Sequence, residues 1–324
     1  MCTAAKYVSD DFYFGRTLDY DMGYNEQIVI TPRNRPLTFK DEGALHSHYA
    51  MIGVALVADG YPLYFDCANE KGLAMAGLNF VGAAAYRPPC EGKLNIASFE
   101  FIPWILGKCS SVAEAKKLLE RINITDRAFS AELPPSQLHW IIADRDSAIT
   151  VESTASGLNV YDNDVGVLTN CPSFPEQMIN LANHMAVSAR PACNNFSDKI
   201  KLTEYCRGMG GIGLPGDLTS PSRFVRAAFT ALNSPKSKDN DCAVSQFFHI
   251  LGSVDQTRGS CILENGKYET TIYTSCCNAT RGVYYYTTYD NRAVIGIDMN
   301  KTNLDGKSLV RFAMRTEPHI IYEN

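Results

Sequence analysis

At 324 residues, with 45% hydrophobic and 20% charged side chains, the chain can bury a substantial core as one large domain or two small ones. A net charge of −5 gives no electrostatic case for nucleic acid, and no run of about 18 apolar residues offers a membrane span. The first residues lack the basic and apolar regions of a signal peptide.

The chain opens on a cysteine directly behind Met1. Methionine aminopeptidases generally remove Met before a small side chain, and Cys is small enough. Removal leaves Cys2 with a thiol and a free α-amine, whose reference pKa of about 7.7–8.0 suits a base acting on its own thiol. Such a nucleophile needs no separate histidine. Ser9-Asp10-Asp11 is a turn signal between two runs rich in β-formers, so residues 2–20 read as a hairpin. With Asp10-Asp11 as a two-residue loop, Ser9 faces Phe12 and Cys2 faces Asp19. The Asp19 carboxylate then accepts hydrogen bonds from the α-amine. Arg16 falls on the opposite face of an ideal strand. It reaches the thiol only if Gly15 or the strand end breaks the alternation, in which case its guanidinium favours thiolate. An ordinary edge hairpin with a cysteine at position 2 is the plain structural alternative.

Strands follow at Gln27–Thr31, Tyr49–Ala58 and Leu63–Cys67, the last two around an Asp59-Gly60 turn. His46 and His48 lack nearby acids or thiols and read as a solvated loop rather than a metal pair. Leu73–Asn79 is a small-residue strand ending in Asn79, a polar group that needs a partner or a ligand. Ala97–Gly107 is apolar with Pro103 inside it, and Ser111 with Glu114 forms a capping box for a helix to about Ile122. Leu138–Ala143, Ala148–Glu152, Leu158–Tyr161 and Val165–Leu168 read as strands, the last two around Asn163-Asp164 and followed by Asn170. Pro175–His184 reads as a short helix.

Residues 187–220 are irregular. Gly208, Gly210 and Gly213 fit G-x-G-x-x-G, but Pro215 and Gly216 follow where a helix should start, so a dinucleotide loop is rejected in favour of a protruding loop used in subunit packing. Ser220 and Pro221 open a helix whose apolar face is Phe224, Val225, Ala228, Phe229 and Leu232. Arg223 in its first turn opposes the macrodipole, which asks for an acidic partner or a ligand. Asp241–Leu251 is a further helix, and strands Tyr268–Cys277, Val283–Tyr289 and Ala293–Asp298 complete the chain. The order of strands and helices implies two sheets covered by helices. His139 and His249 sit in apolar settings and read as core residues.

The eleven cysteines are dispersed, with no C-x-x-C pair and no histidine at zinc-finger spacing, so no structural metal site is expected. Without export they should be reduced thiols, and Cys276-Cys277 reads as two alternating wall residues.

Cys2 after Met1, Gly15-Arg16-Thr17-Leu18-Asp19, Asn69-Glu70-Lys71-Gly72 leading to Asn79-Phe80, Thr169-Asn170, and Leu214-Pro215-Gly216-Asp217 leading to Ser222-Arg223-Phe224 together resemble the choloylglycine hydrolase family. That family comprises the bile salt hydrolases and penicillin V acylases of the N-terminal nucleophile superfamily, and the likeness runs essentially end to end. The resemblance implies an α+β fold, a four-layer αββα sandwich of two mainly antiparallel sheets, in one domain over 1–324. It also implies a homotetramer, a cytoplasmic location, and amide hydrolysis with no metal or cofactor. Carried over by motif, Cys2 is nucleophile and base, Arg16 tunes its thiol and Asp19 holds its amine. Asn79 and Asn170 furnish the oxyanion hole, and Arg223 supports charge around the nucleophile. Asn79 matches the bile salt hydrolase pattern, where penicillin V acylases more often carry tyrosine, and so favours conjugated bile acids as substrate. Val81-Gly82-Ala83-Ala84-Ala85, where a proline and bulkier residues are expected, and Cys171 in place of a serine-like residue are departures. A penicillin V acylase or other N-acyl amidase is the alternative within the family, and a non-catalytic binding protein on the same scaffold the alternative outside catalysis.

Overall fold

A computed structural model describes residues 1–324. Two antiparallel sheets form its centre. One has six strands in the order Val167–Leu168, Cys2–Val8, Phe12–Tyr20, Thr270–Asn278, Val283–Thr288 and Ile295–Asp298. The other has eight, in the order Gly157–Asp162, Ala148–Thr154, Leu138–Ala143, Ala74–Asn79, Tyr61–Asn69, Met51–Ala58, Gln27–Thr31 and Val310–Ala313.

Strand Leu138–Ala143 shows why both faces of the larger sheet are apolar. Ile141 and Ala143 belong to the core shared with the six-stranded sheet, whereas Trp140 and Ile142 belong to a second core on the other side. Side chains alternate with period two, so a strand covered on both faces must be apolar throughout. Each fully buried large side chain contributes about 1.5–3 kcal/mol. Helices α1 (Phe101–Lys108) and α2 (Val112–Leu119) close the second core with Ile102, Ile105, Leu106, Val112 and Ala115. Beside the six-stranded sheet lie α3 (Phe174–Ala182), α4 (Ser220–Asn233) and α5 (Asn240–Gly252), with Phe224, Ala227, Phe247 and Ile250 in the first core. The layers therefore run helix, sheet, sheet, helix, as the resemblance implies.

Several local expectations shift. The first hairpin turns on three residues, not two: Val8 faces Phe12, and Cys2 faces Leu18 rather than Asp19. Tertiary contacts hold the turn open, since Ser9 Oγ donates to the Ser237 carbonyl and the Asp11 carboxylate binds Arg281 and Asn278. Val167–Leu168 does not return on Gly157–Asp162. It crosses to the other sheet and pairs with Ala4 and Ala5. Asn163 braces that crossover, donating to Thr150 Oγ1 and the Val167 carbonyl while accepting from Gly166 N–H. The helix after Ser111 ends at Leu119, and Ile122–Thr125 instead forms a short parallel pair with Leu94–Ala97. His48 is buried, not solvated, with its ring nitrogens on the carbonyls of Tyr49 and Arg35. Leu232, placed on the apolar face of α4, is exposed.

Candidate active site

The one-residue change of register matters at once. Paired residues share a face, so Cys2 opposite Leu18 lies on the same side as Arg16, which pairs with Ala4. No break at Gly15 is required. Gly15 has a different reason to be glycine: a Cβ there would stand 2.0 Å from the Ser275 carbonyl oxygen. The neighbouring strand therefore approaches closely enough to place Arg16 N–H on Ser275 Oγ at 3.0 Å.

Arg16 is buried, and its guanidinium donates to the carbonyls of Gly77 (2.6 Å), Thr17 (3.1 Å) and Phe65 (3.3 Å). Burial alone disfavours its charge, but the acidic groups around it, Cys2, Tyr273, Asp66 and Asp19, outweigh that and hold it protonated. Asp66 is the buried carboxylate of this layer, receiving hydroxyls from Tyr273, Ser275 and Tyr284.

Asp19 sits one residue beyond the expected position. Its backbone N–H donates to the Met1 carbonyl, and the Met1 ammonium donates to the Asp19 carbonyl and the Glu269 carboxylate. The Asp19 carboxylate accepts from Thr271 Oγ1 at 2.6 Å and Thr17 Oγ1 at 3.0 Å, and makes no hydrogen bond to Cys2. Burial pushes its carboxyl upward, countered in part by Arg223, the terminal ammonium and the two threonines. The Cys2 N–H goes instead to Asn170 Oδ1, at 2.9 Å.

Asn170 is delivered by the crossing strand and fixed from three sides. Its N–H donates to Ser220 Oγ, its Nδ2 to the Asn79 carbonyl at 2.7 Å, and its Oδ1 also accepts Arg223 Nη2 at 2.7 Å. One hydrogen of Nδ2 remains free of these contacts. Arg223, fully buried, grips the Cys2 carbonyl (2.6 Å) and Thr3 Oγ1 (2.7 Å) through Nη1, and the Leu218 carbonyl through Nε. Its hydrogen-bond partners are carbonyl and hydroxyl oxygens, with Asp19 acting on it through charge alone. Burial lowers its pKa, with Asp19, Cys2 and Glu269 acting in the other direction. Asn79 meets this cluster at the end of its strand, where its side-chain amide makes no hydrogen bond within the protein and borders a cavity.

That cavity, of about 280 Å³, is lined by 21 residues, of which 14 are hydrophobic. Cys2, Arg16 and Asn79 form part of its wall, with Tyr24, Phe65, Phe99, Phe129 and Leu133 among the apolar remainder. All six candidates thus converge on one place, drawn from the two sheets and α4. The sequence reading assigns no place at the site to the supports Thr17, Thr271, Ser220 and Glu269, and only the crossover brings Ser220 to Asn170. His139 is the satisfied core histidine expected, bonded to Glu152 and the Thr169 carbonyl and stacked on Phe80 at 4.3 Å.

A cysteine at a strand start, paired amides and an apolar cavity are the equipment of a hydrolase of linear amide C–N bonds, and residues 2–312 match the profile described as linear amide C–N hydrolases, choloylglycine hydrolase family. The chain belongs to the choloylglycine hydrolase family. It is 52% identical to the bile salt hydrolase/transferase of Lactiplantibacillus plantarum, over 98% of both chains. It is 38% identical to the conjugated bile acid hydrolase of Lactobacillus acidophilus, over 96% of this chain and 100% of the relative. Among solved structures, the C2A mutant of the conjugated bile acid hydrolase from Clostridium perfringens superposes with a TM-score of 0.92 at 37% identity, covering 100% of both chains. Penicillin V acylase from Agrobacterium tumefaciens shares the fold, with a TM-score of 0.77 at 22% identity over 99% of this chain and 94% of that one.

Proposed function

We propose that this enzyme is a bile salt hydrolase, cleaving the amide bond of glycine- or taurine-conjugated bile acids through Cys2. The observation that carries the reading is the placement of Cys2 in the wall of a largely apolar cavity, beside Arg16 and Asn79. An apolar acyl body fills the cavity while its amide carbonyl meets the sulfur.

Trimming of Met1 turns the Cys2 N–H into an α-amine, still within reach of Asn170 Oδ1. The amine takes the thiol proton, sulfur attacks the carbonyl carbon, and the oxygen becomes an oxyanion. Asn79 Nδ2 and the free hydrogen of Asn170 Nδ2 are the donors for that charge, each such donor being worth about 3–4 kcal/mol to the transition state. The ammonium then protonates the leaving nitrogen, the C–N bond breaks, and the amino acid departs. Water, deprotonated by the same amine, attacks the acyl-thioester and releases the free acid. An amine in place of water would give acyl transfer, the second activity in the name of the L. plantarum relative. Arg16 supplies positive charge beside the sulfur, Arg223 fixes the backbone of Cys2, and Asp19 balances Arg223. No step calls on a metal or cofactor.

The chain works as one domain and, in this reading, as a cytoplasmic homotetramer. Support for assembly comes from the irregular stretch before α4, where Phe196, Leu202, Tyr205 and Ile212 are exposed, as are Met185 and Leu232. Amine release from glycocholate, taurocholate and penicillin V, measured side by side, tests the substrate. Faster release from the two bile conjugates is expected, and turnover of penicillin V alone would overturn the assignment.

A further inference from the structure

The substrate cavity is not uniformly apolar. Trp140 borders it with no side-chain exposure to solvent, and its indole Nε1, a donor with no acceptor role, has no hydrogen-bond partner in the protein. The indole cannot turn to find one. Phe101 packs edge-on against it at 4.7 Å, and Tyr86 lies at 6.4 Å. Gly77 leaves the N–H edge open, because a Cβ there would stand 3.1 Å from Nε1, and Gly77 itself borders the cavity. Ser98 borders the same cavity, and its buried Oγ makes no full hydrogen bond, lying only near the Tyr86 hydroxyl. The hydroxyl of Tyr86, its neighbour, is already engaged, donating to the Ser136 carbonyl at 2.7 Å and accepting from Leu138 N–H at 2.8 Å.

Buried polar groups without partners are rare because each forfeits its hydrogen bond to water. Trp140 Nε1, aimed past a glycine, and the weakly held Ser98 Oγ in the lining of the same cavity point to a ligand atom that satisfies them. We infer that the cavity selects an acyl body that is apolar overall but carries a hydroxyl or keto oxygen, which accepts from Trp140 Nε1 with Ser98 Oγ as its second partner. The inference rests on the bile salt hydrolase reading and narrows it to oxygenated acyl groups over bare hydrocarbon ones. Gly77 also ties this subsite to the chemistry, since its carbonyl holds Arg16 Nη1 at 2.6 Å. An oxygen seated on Trp140 therefore sets how the acyl body lies relative to Cys2.

The test compares glycine conjugates of hydroxylated cholanic acids with the glycine conjugate of unsubstituted cholanic acid. Trp140→Phe removes the N–H while keeping the aromatic plane. It should lower kcat/KM on the hydroxylated substrates roughly fivefold to tenfold more than on the unsubstituted one, the effect of one hydrogen bond. Ser98→Ala should shift the same ratio in the same direction, and it carries the test if Trp140→Phe does not fold. Equal losses on both substrates, or no loss on either, would overturn the inference while leaving the hydrolase reading intact. If the wild-type protein hydrolyses neither conjugate, that reading fails instead. Equilibrium binding of the corresponding free acids to the Cys2→Ala protein and to its Trp140→Phe derivative then decides the subsite, with loss of preference for the hydroxylated acid expected and an unchanged preference overturning it.

Discussion

Asn170 Oδ1 accepts Arg223 Nη2 at 2.7 Å, and the bond closes a ring, because Asn170 Oδ1 also accepts the Cys2 N–H while Arg223 Nη1 donates to the Cys2 carbonyl. The first residue of a strand is ordinarily free to fray. Here both of its backbone groups are held by side chains from elements more than 160 residues away in sequence.

Arg223→Gln opens the ring and leaves buried oxygens on Cys2 and Asn170 without their donor. A stability loss of about 3 kcal/mol is expected by urea denaturation. Turnover should fall by at least about 100-fold, because a misplacement of about 1 Å at Cys2, the proposed nucleophile, is that costly. A variant matching the wild type in both would show that the ring holds nothing.

The two asparagines should separate. Asn79→Ala removes an amide that bonds nothing in the protein, so stability should stay within about 0.5 kcal/mol while kcat falls about 10²–10³-fold. Asn170→Ala should lose both turnover and stability, since that side chain ties Cys2, Asn79 and Arg223 together. Denaturation curves and kcat values for the pair decide this.

Cys2→Ser should cost at least about 10³-fold in turnover, because an alcohol is a far weaker nucleophile than a thiolate. Intact-mass measurement of the active wild-type protein should find Met1 gone. Full activity with Met1 retained would exclude the α-amine as base.

Glu100, buried at the end of the turn Ser98–Glu100, supplies a pH signature. Burial pushes its carboxyl up to about 7, although it accepts N–H groups from Ala97 and Lys40. An unfolded glutamate titrates near about 4.3, so between that value and 7 the folded state holds the proton more tightly. Stability from this group is therefore present below about 4.3 and is lost as pH rises to 7. Urea denaturation across that range should show the decline in the wild type and a flatter profile in Glu100→Gln.

Gly15→Ala should be severe for its size. The added Cβ would collide with backbone at Ser275, which no rotamer change relieves. A loss of about 3 kcal/mol or more is expected, with failure to fold as the extreme outcome. Near-native stability would mean the two strands can separate without harm.

The order of strands and helices makes two helix-covered sheets legible in the sequence, whereas the four-layer stacking is legible only through the family resemblance. The hairpin at Ser9-Asp10-Asp11 is legible as a turn but not as a register. Two- and three-residue loops compete locally, and the choice falls to Ser237, Asn278 and Arg281, all more than 220 residues away. That single step put Asp19 where Leu18 belongs and hid the common face of Cys2 and Arg16. Asn163-Asp164 misleads for a similar reason: a turn signal between two short apolar runs looks the same whether the chain folds back or passes to another sheet. The six candidate residues are legible as a set only through their ordered motifs, whereas Trp140 and Ser98 look like core residues until a cavity is seen beside them.

The strand that begins with Cys2 has a consequence for biosynthesis. Its hairpin is flanked on one side by residues 167–168 and on the other by residues 270–278. On the ribosome residues 12–20 emerge well before residues 270–278, and that edge of the hairpin waits unpaired for its partner. Such long-range pairing is slow to form, so the nascent chain is exposed to aggregation for long at the hairpin that holds Cys2.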